Sequence, residues 1–156
     1  MRIALASDHA AFALKAELVH WLISAGHDVS DLGPSGISSV DYPDFGYLLA
    51  NHVAAGKADR GIALCGSGIG ISIAVNRHPD VRCALVSEPL SAGLAREHND
   101  ANVLALGARL IGCDMAKACV EAFLTTPHAG TTSSADKRHL RRIEKLSNPV
   151  IDRDLP

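Results

Sequence analysis

Five short apolar runs, each trailed by a stretch of helical period, constrain this chain more than any other feature. Ile3 to Ala6, His27 to Asp31, Gly61 to Leu64, Val81 to Val86 and Val103 to Leu106 read as strands. After the first, Leu14, Leu18, Trp21, Leu22 and Ala25 recur at helical spacing, with Gly26 as the stop. Further helices are predicted from about Pro43 to Ala55, from the glycines after Leu64 to about Arg77, over Glu88–His98, over Gly112–Leu124 and over about Asp136–Ser147. Leu32–Asp44 and Thr125–Ala135 are loops by composition. Strand and helix in alternation imply an α/β fold, a five-stranded parallel sheet with helices on both faces. In such sheets ligands sit beyond the carboxyl ends of the strands, which directs attention to Ser7-Asp8-His9, Cys65-Gly66-Ser67-Gly68, Ser87-Glu88 and Gly107-Ala108-Arg109.

The chain has 156 residues, which suits one domain over 1–147 followed by a C-terminal tail at 148–156. A net charge of −2 draws the molecule to neither nucleic acid nor an acidic membrane. No apolar run approaches the roughly 18 residues of a membrane span, and the strand-like MRIALAS lacks the marks of a signal peptide. Cys65, Cys83, Cys113 and Cys119 form neither a CxxC pair nor zinc-ligand spacing, so a reducing cytoplasm and no metal are expected.

The sharpest chemical signal is Cys65-Gly66-Ser67-Gly68-Ile69-Gly70 at the end of the third strand. Gly66, Gly68 and Gly70 let the backbone approach a ligand and turn its N–H groups inward as a nest for negative charge. The same dipoles give Cys65 thiolate character, so it can serve as a base; the bland reading is a tight turn with a packed cysteine. Nicotinamide binding is the rival. Glu88 lies about twenty residues on, as a ribose-binding acid would. The glycines, however, read G-x-G-x-G, with Ile71 where the fingerprint wants its third glycine. Asp8 and His9 can move or grip a hydroxyl, or Asp8 can simply cap a helix. His98 is an acid–base candidate and Asn99 an oxyanion donor, or both are a solvated helix end. Arg138 and Arg142, four apart, can share a face and clamp a phosphate, or belong to a solvated basic face; a nucleic-acid patch would want interleaved aromatics that the segment lacks. Leu140, Ile143 and Leu146 form the stripe expected to dock their helix.

Five segments together resemble the ribose/galactose sugar-phosphate isomerase family, the group of ribose-5-phosphate isomerase B and the galactose- and allose-6-phosphate isomerases. They are Ser-Asp-His at 7–9, Asp-Tyr-Pro-Asp at 41–44, Cys-Gly-Ser-Gly-Ile-Gly-Ile-Ser-Ile-Ala at 65–74, the run from Arg96 to Arg109, and Arg-His-Leu-Arg-Arg-Ile-Glu-Lys-Leu at 138–146. The likeness runs from Ile3 to about Leu146. It implies a Rossmann-like three-layer α/β/α sandwich and a homodimer, or dimer of dimers, with sites shared between subunits. It also implies a metal- and cofactor-free interconversion of an aldose phosphate and a ketose phosphate through an enediolate. Ribose 5-phosphate and ribulose 5-phosphate are the favoured pair. Tetrose, allose or galactose phosphates are alternatives, and a non-catalytic sugar-phosphate-binding module is a reading of another class.

By the resemblance Cys65 carries the proton, and His98, with Asp8 and His9, opens the sugar ring. Ser67, Asn99 and the N–H groups of Gly66 to Gly70 hold the enediolate oxygen. Arg109, Arg138 and Arg142 bind phosphate, with His9 or His139 assisting, and Tyr42 touches the sugar. Two departures from the family pattern stand out. Thr131–Lys137 is a longer polar approach to the Arg-His motif, and Ser67 replaces a common threonine.

Overall fold

The computed structural model of the chain describes residues 1–132 and 137–149. Its strands are β1 (Arg2–Ser7), β2 (Asp28–Asp31), β3 (Arg60–Cys65), β4 (Cys83–Leu85) and β5 (Val103–Gly107). All pair in parallel, in the order β2-β1-β3-β5-β4. Parallel neighbours need crossovers that cannot be tight turns. Here they hold α1 (Phe12–Ser24), α2 (Tyr42–Ala54), α3 (Ile69–Val75) and α4 (Pro89–Asn99), and α5 (Cys113–Thr125) follows β5. The expected α/β architecture is therefore present.

Side-chain size alternates along the central strands with the period of two that a strand imposes. Ile3, Leu5, Ile62, Leu64, Leu104 and Leu106 point to one face, where Leu18 and Leu22 of α1, Ala95 of α4 and Phe123 of α5 cover them. Ala4, Ala6, Ala63, Cys65 and Ala105 point to the other, beneath Leu49 and Val53 of α2 and Ile71 and Val75 of α3. The second face is the thinner one, and its helices also crowd each other. A Cβ on Gly46 of α2 would lie 2.9 Å from the Cβ of Ala74 in α3. Cys65 thus emerges on the small-residue face, directly before α3.

The helix stops follow the sequence. Gly26 adopts φ 85°, and its N–H and that of His27 return to Ile23 O (2.9 Å) and Leu22 O (3.1 Å), a Schellman closure of α1. Gly56, at φ 67°, does the same for α2 through Val53 O and His52 O.

Three expectations need correction. Thr125–Ala135 is not wholly a loop, because α6 (Ala129–Thr132) forms within it; positions 133–135 lie outside the described residues. Close packing favours that turn, since a Cβ on Gly130 would come within 2.9 Å of the Leu140 side chain. The apolar stripe does not bury α7 (Lys137–Ser147): Leu140 and Leu146 remain 45% and 57% exposed, while His139 is 5% exposed. The helix is turned so that His139, not a leucine, faces the body of the protein. Finally, β4 is only three residues long, so Val81 and Val86 flank it. Of the expected tail, residues 150–156 lie outside the described residues.

The asymmetry of the two faces predicts different penalties for opposite changes in size. Leu64→Ala should cost about 2–5 kcal/mol through the lost contacts and the cavity. Ala63→Leu should cost about 1–3 kcal/mol because α2 and α3 leave it no room. Urea denaturation of both variants against wild type measures this.

Candidate active site

Chain order reverses between β1 and β3, since β2 lies outside β1 and β5 and β4 lie beyond β3. That switch point is where an open α/β sheet leaves a crevice. The register pairs Ser7 with Leu64 and Cys65 with Gly107, so Asp8, Cys65 and Gly107 follow one another across the sheet edge, with Ala108 and Arg109 next along the chain. Backbone bonds tie them: Asp8 N–H to Leu64 O (3.1 Å), Ala108 N–H to Cys65 O (2.9 Å) and Arg109 N–H to Gly66 O (3.0 Å). The result is an open cleft of about 570 Å3 lined by Asp8, Tyr42, Cys65, Ser67, Gly70 and Arg109, among others.

Each glycine of the 65–70 loop has a separate steric reason. Gly68 takes φ 76°, and a Cβ there would lie 2.5 Å from the Leu85 side chain and 2.9 Å from the Leu106 carbonyl carbon. Gly70 carries the ring of Tyr42, which a Cβ would meet at 2.5 Å. Gly66 lets Arg109 lie across the loop, its Nη1 3.4 Å from where a Cβ would be. Gly68 N–H donates to the Sγ of Cys65 at 3.1 Å, a bond that a thiolate accepts more strongly than a thiol. Ser67 Oγ accepts from Ile69 N–H at 3.3 Å. Two N–H groups of the nest are therefore committed within the loop, which narrows those that face a ligand.

Asp8 caps a helical turn and also reaches the cleft. Its Oδ1 accepts Ala11 N–H at 3.1 Å, capping the single turn His9–Ala11, and its buried carboxylate also borders the cleft. His9 Nδ1 accepts Val40 N–H at 3.2 Å, so a neutral ring carries its proton on Nε2. Glu88 is a cap as well. Its carboxylate accepts from Leu90 and Ser91 at the start of α4, and the Ser91 hydroxyl, then the Ser91 N–H, hold it below the usual carboxylate range. It is spent on its own helix and does not serve the glycine loop as a ribose-binding acid.

The remaining site candidates stand elsewhere. α4 starts beyond the carboxyl end of β4 and ends just before β5 begins, so its last residues lie at the opposite edge of the sheet. Eleven residues at 1.5 Å each make that separation about 16 Å along the helix. His98 and Asn99 occupy that far end, and Arg138 and Arg142 stand exposed on α7, which packs against α4. The ring of His98 stacks on His139 with centroids 4.5 Å apart and planes 9° from parallel, and Arg138 Nε donates to His139 Nε2 at 3.3 Å. One chain thus gathers Asp8, Tyr42, Cys65, Gly66, Ser67, Gly68, Gly70 and Arg109, with His9 alongside. It does not bring His98, Asn99, Arg138 or Arg142 to them. Sequence reasoning missed Ile69, Ile73 and Leu110, which complete the cleft; Ile69 and Ile73 lie four apart, at the spacing that puts both on one face of α3.

A larger hollow of about 670 Å3 lies at the far edge, bordered by Arg77, His78, Arg82, Cys83 and Asn99. Its thiol is ill suited to chemistry, because burial pushes Cys83 up to about 12. Burial, with Glu88 second, also raises Cys119. Among the described residues no group of three His, Cys, Asp or Glu side chains is placed to hold a metal ion. No described helix is long and apolar enough to cross a membrane.

The profile of the ribose/galactose isomerase family matches residues 3–146. The chain belongs to that family. It is 42% identical over 146 residues to ribose-5-phosphate isomerase B of Escherichia coli strain K12, covering 94% of each chain. The solved ribose-5-phosphate isomerase B of Clostridium thermocellum superposes with a TM-score of 0.90 at 43% identity, over 95% of this chain and 96% of that one. The Mycoplasma genitalium enzyme, solved with bound ribulose 5-phosphate, gives a TM-score of 0.87 at 37% identity, over 94% of both chains.

The raised thiols predict selective alkylation. At pH 9 a thiol titrating near 12 is about one part in a thousand thiolate, the nucleophilic form. Iodoacetamide should therefore leave Cys83 and Cys119 unmodified in folded protein and label them once urea unfolds the chain, as peptide mass spectrometry reports.

Proposed function

We propose that this chain interconverts ribose 5-phosphate and ribulose 5-phosphate, with Cys65 carrying a proton between the two reacting carbons. The observation that carries this reading is Cys65 at the switch point, with Gly68 N–H on its sulfur and Asp8, Tyr42 and Arg109 around the same cleft. Family membership and the substrate named for the relatives support it.

In the open-chain aldose, the Cys65 thiolate takes the proton from C2. The electron pair moves to the C1 oxygen and gives an enediolate. The thiol returns the proton to C1 while a hydroxyl proton passes from O2 to O1, so C2 is oxidised as C1 is reduced. Charge development on oxygen is the costly event, and preorganised donors meet it: the loop N–H groups not used within the loop, Ser67, and Asn99. One such donor is typically worth about 10²–10³ in rate, and a positioned base about 10²–10⁴. Arg109, with Arg138 and Arg142, holds the phosphate, binding energy remote from the reacting carbons that fixes their orientation. His98, beside Asp8 and His9, moves the proton that opens the furanose ring, and Tyr42 packs on the sugar.

This division of labour needs two copies of the chain, because His98, Asn99, Arg138 and Arg142 belong to the far edge of the sheet. A homodimer in which a second copy presents its far edge to this cleft completes the site. Exposed apolar side chains favour that contact. Tyr42, Ile69 and Ile73 border the cleft and Tyr47 stands nearby on α2, a cluster that a second copy would cover.

Two experiments test the reading. On a panel of four-, five- and six-carbon sugar phosphates with chelator present, ribose 5-phosphate should be the best substrate and Cys65→Ala should lose at least about 10²-fold in kcat. Folded protein inactive on every sugar would leave the phosphate-binding module as the better account. Mixing Cys65→Ala and His98→Ala subunits after dissociation should restore about a quarter of wild-type activity, because half the dimers then hold one intact site of two. No recovery in mixed dimers would place both residues in one subunit's site.

A further inference from the structure

α4 ends in an unusual way. Asp100 has φ 45° and ψ 42°, and among the described residues it is the only non-glycine with positive φ. This left-handed position closes the helix by returning Asp100 N–H to Arg96 O at 3.1 Å, a place that glycine usually fills. A side chain in that conformation persists only when its surroundings over-determine it, and such outliers gather at functional sites.

The surroundings here are two guanidinium groups. Arg96 is 4% exposed, lies 5.9 Å over the ring of Phe123, and donates through Nη1 to Asp100 Oδ1 (2.8 Å) and to Ala101 O. Arg82, just before β4, reaches the same turn from the other side. Its Nη2 donates to Asp100 Oδ2 and Asp100 O, both at 2.8 Å, and its Nε to Asp100 O (3.0 Å) and Asn99 O (3.1 Å). Arg82 is itself tied down, its N–H donating to Asn102 Oδ1 at 2.8 Å. Both carboxylate oxygens and three successive carbonyls, from Asn99 to Ala101, are thereby held. This is far more restraint than a surface helix needs in order to stop. The two residues immediately before the gripped turn are His98 and Asn99.

We propose that Asp100, clamped by Arg82 and Arg96, is a positioning residue that sets the direction in which His98 and Asn99 leave α4 toward the cleft of the other subunit. The proposal rests on the reading of His98 and Asn99 as members of that shared site. Neither Asp100 nor the two arginines that clamp it line the cleft that holds Cys65, so they act through the backbone of the turn. Asparagine tolerates the left-handed region and keeps an acceptor, whereas alanine does neither.

A double-mutant cycle on ribose 5-phosphate tests this. Asp100→Ala should lower kcat about tenfold with KM little changed, because the phosphate contacts are untouched. In an Arg109→Ala background the same tenfold loss should recur. In a His98→Ala, Asn99→Ala background it should shrink to less than about twofold, since the groups being positioned are gone. Asp100→Asn should recover most of the activity. Arg82→Met runs through the same cycle, so a folding failure of Asp100→Ala, seen by circular dichroism, leaves the proposal exposed to test. An equal loss in both backgrounds, or unchanged kcat in both Asp100→Ala and Arg82→Met, would overturn it. Full activity of the His98→Ala, Asn99→Ala protein would overturn the shared-site reading and this proposal together, which separates the two failures.

Discussion

The cleft depends on one contact, the close approach of the end of β5 to the loop that follows β3. A Cβ on Gly107 would sit 2.6 Å from the Ser67 carbonyl oxygen, and one on Gly68 would sit 2.9 Å from the Leu106 carbonyl carbon. Two backbones therefore touch where most folds would put side chains. From that contact Arg109 is delivered across Gly66, and Gly68 N–H is turned onto the sulfur of Cys65. Tyr42 enters from α2 and rests on Gly70, so the loop meets a neighbour at each of its glycines.

The unequal faces of the sheet serve the same end. Leucine and isoleucine on one face build a thick layer with α1, α4 and α5, whose apolar burial helps stabilise the domain. The alanine face lets α2 and α3 come close to the strands. Cys65 lies on this face, so α3 begins within reach of the sulfur. A bulkier face would push α3 away and open the nest.

Two of the buried polar side chains stand at the far edge. Arg96 and His139 are both buried there, one holding the turn after α4 and the other stacked under His98. Desolvating such groups is costly unless their hydrogen bonds are met. Their presence beside His98 and Asn99 fits an edge built to present those two side chains, whereas α7 docked by leucines alone would need neither.

Much of this was legible in residue order. Short apolar runs and helical spacing located the described strands and the principal helices, and Gly26 marked the stop of α1, because those signals are local. The Cys-Gly-Ser-Gly-Ile-Gly loop and the order of five motifs identified the family without any coordinates. What escaped was whatever depends on contacts between distant segments. A leucine stripe pointed to the wrong buried face of α7, since helical period cannot weigh a stack on His98 against exposure of Leu140. The grip of Arg82 on Asn99 and Asp100 joins residues 17 and 18 positions apart, across the start of a strand and the end of a helix. The sequence by itself determined the family and named the candidate site residues, because the motifs that carry them are contiguous in residue order. Only the tertiary structure decided that they fall into two groups at opposite edges of the sheet, because a parallel crossover must carry the chain from one edge back to the other.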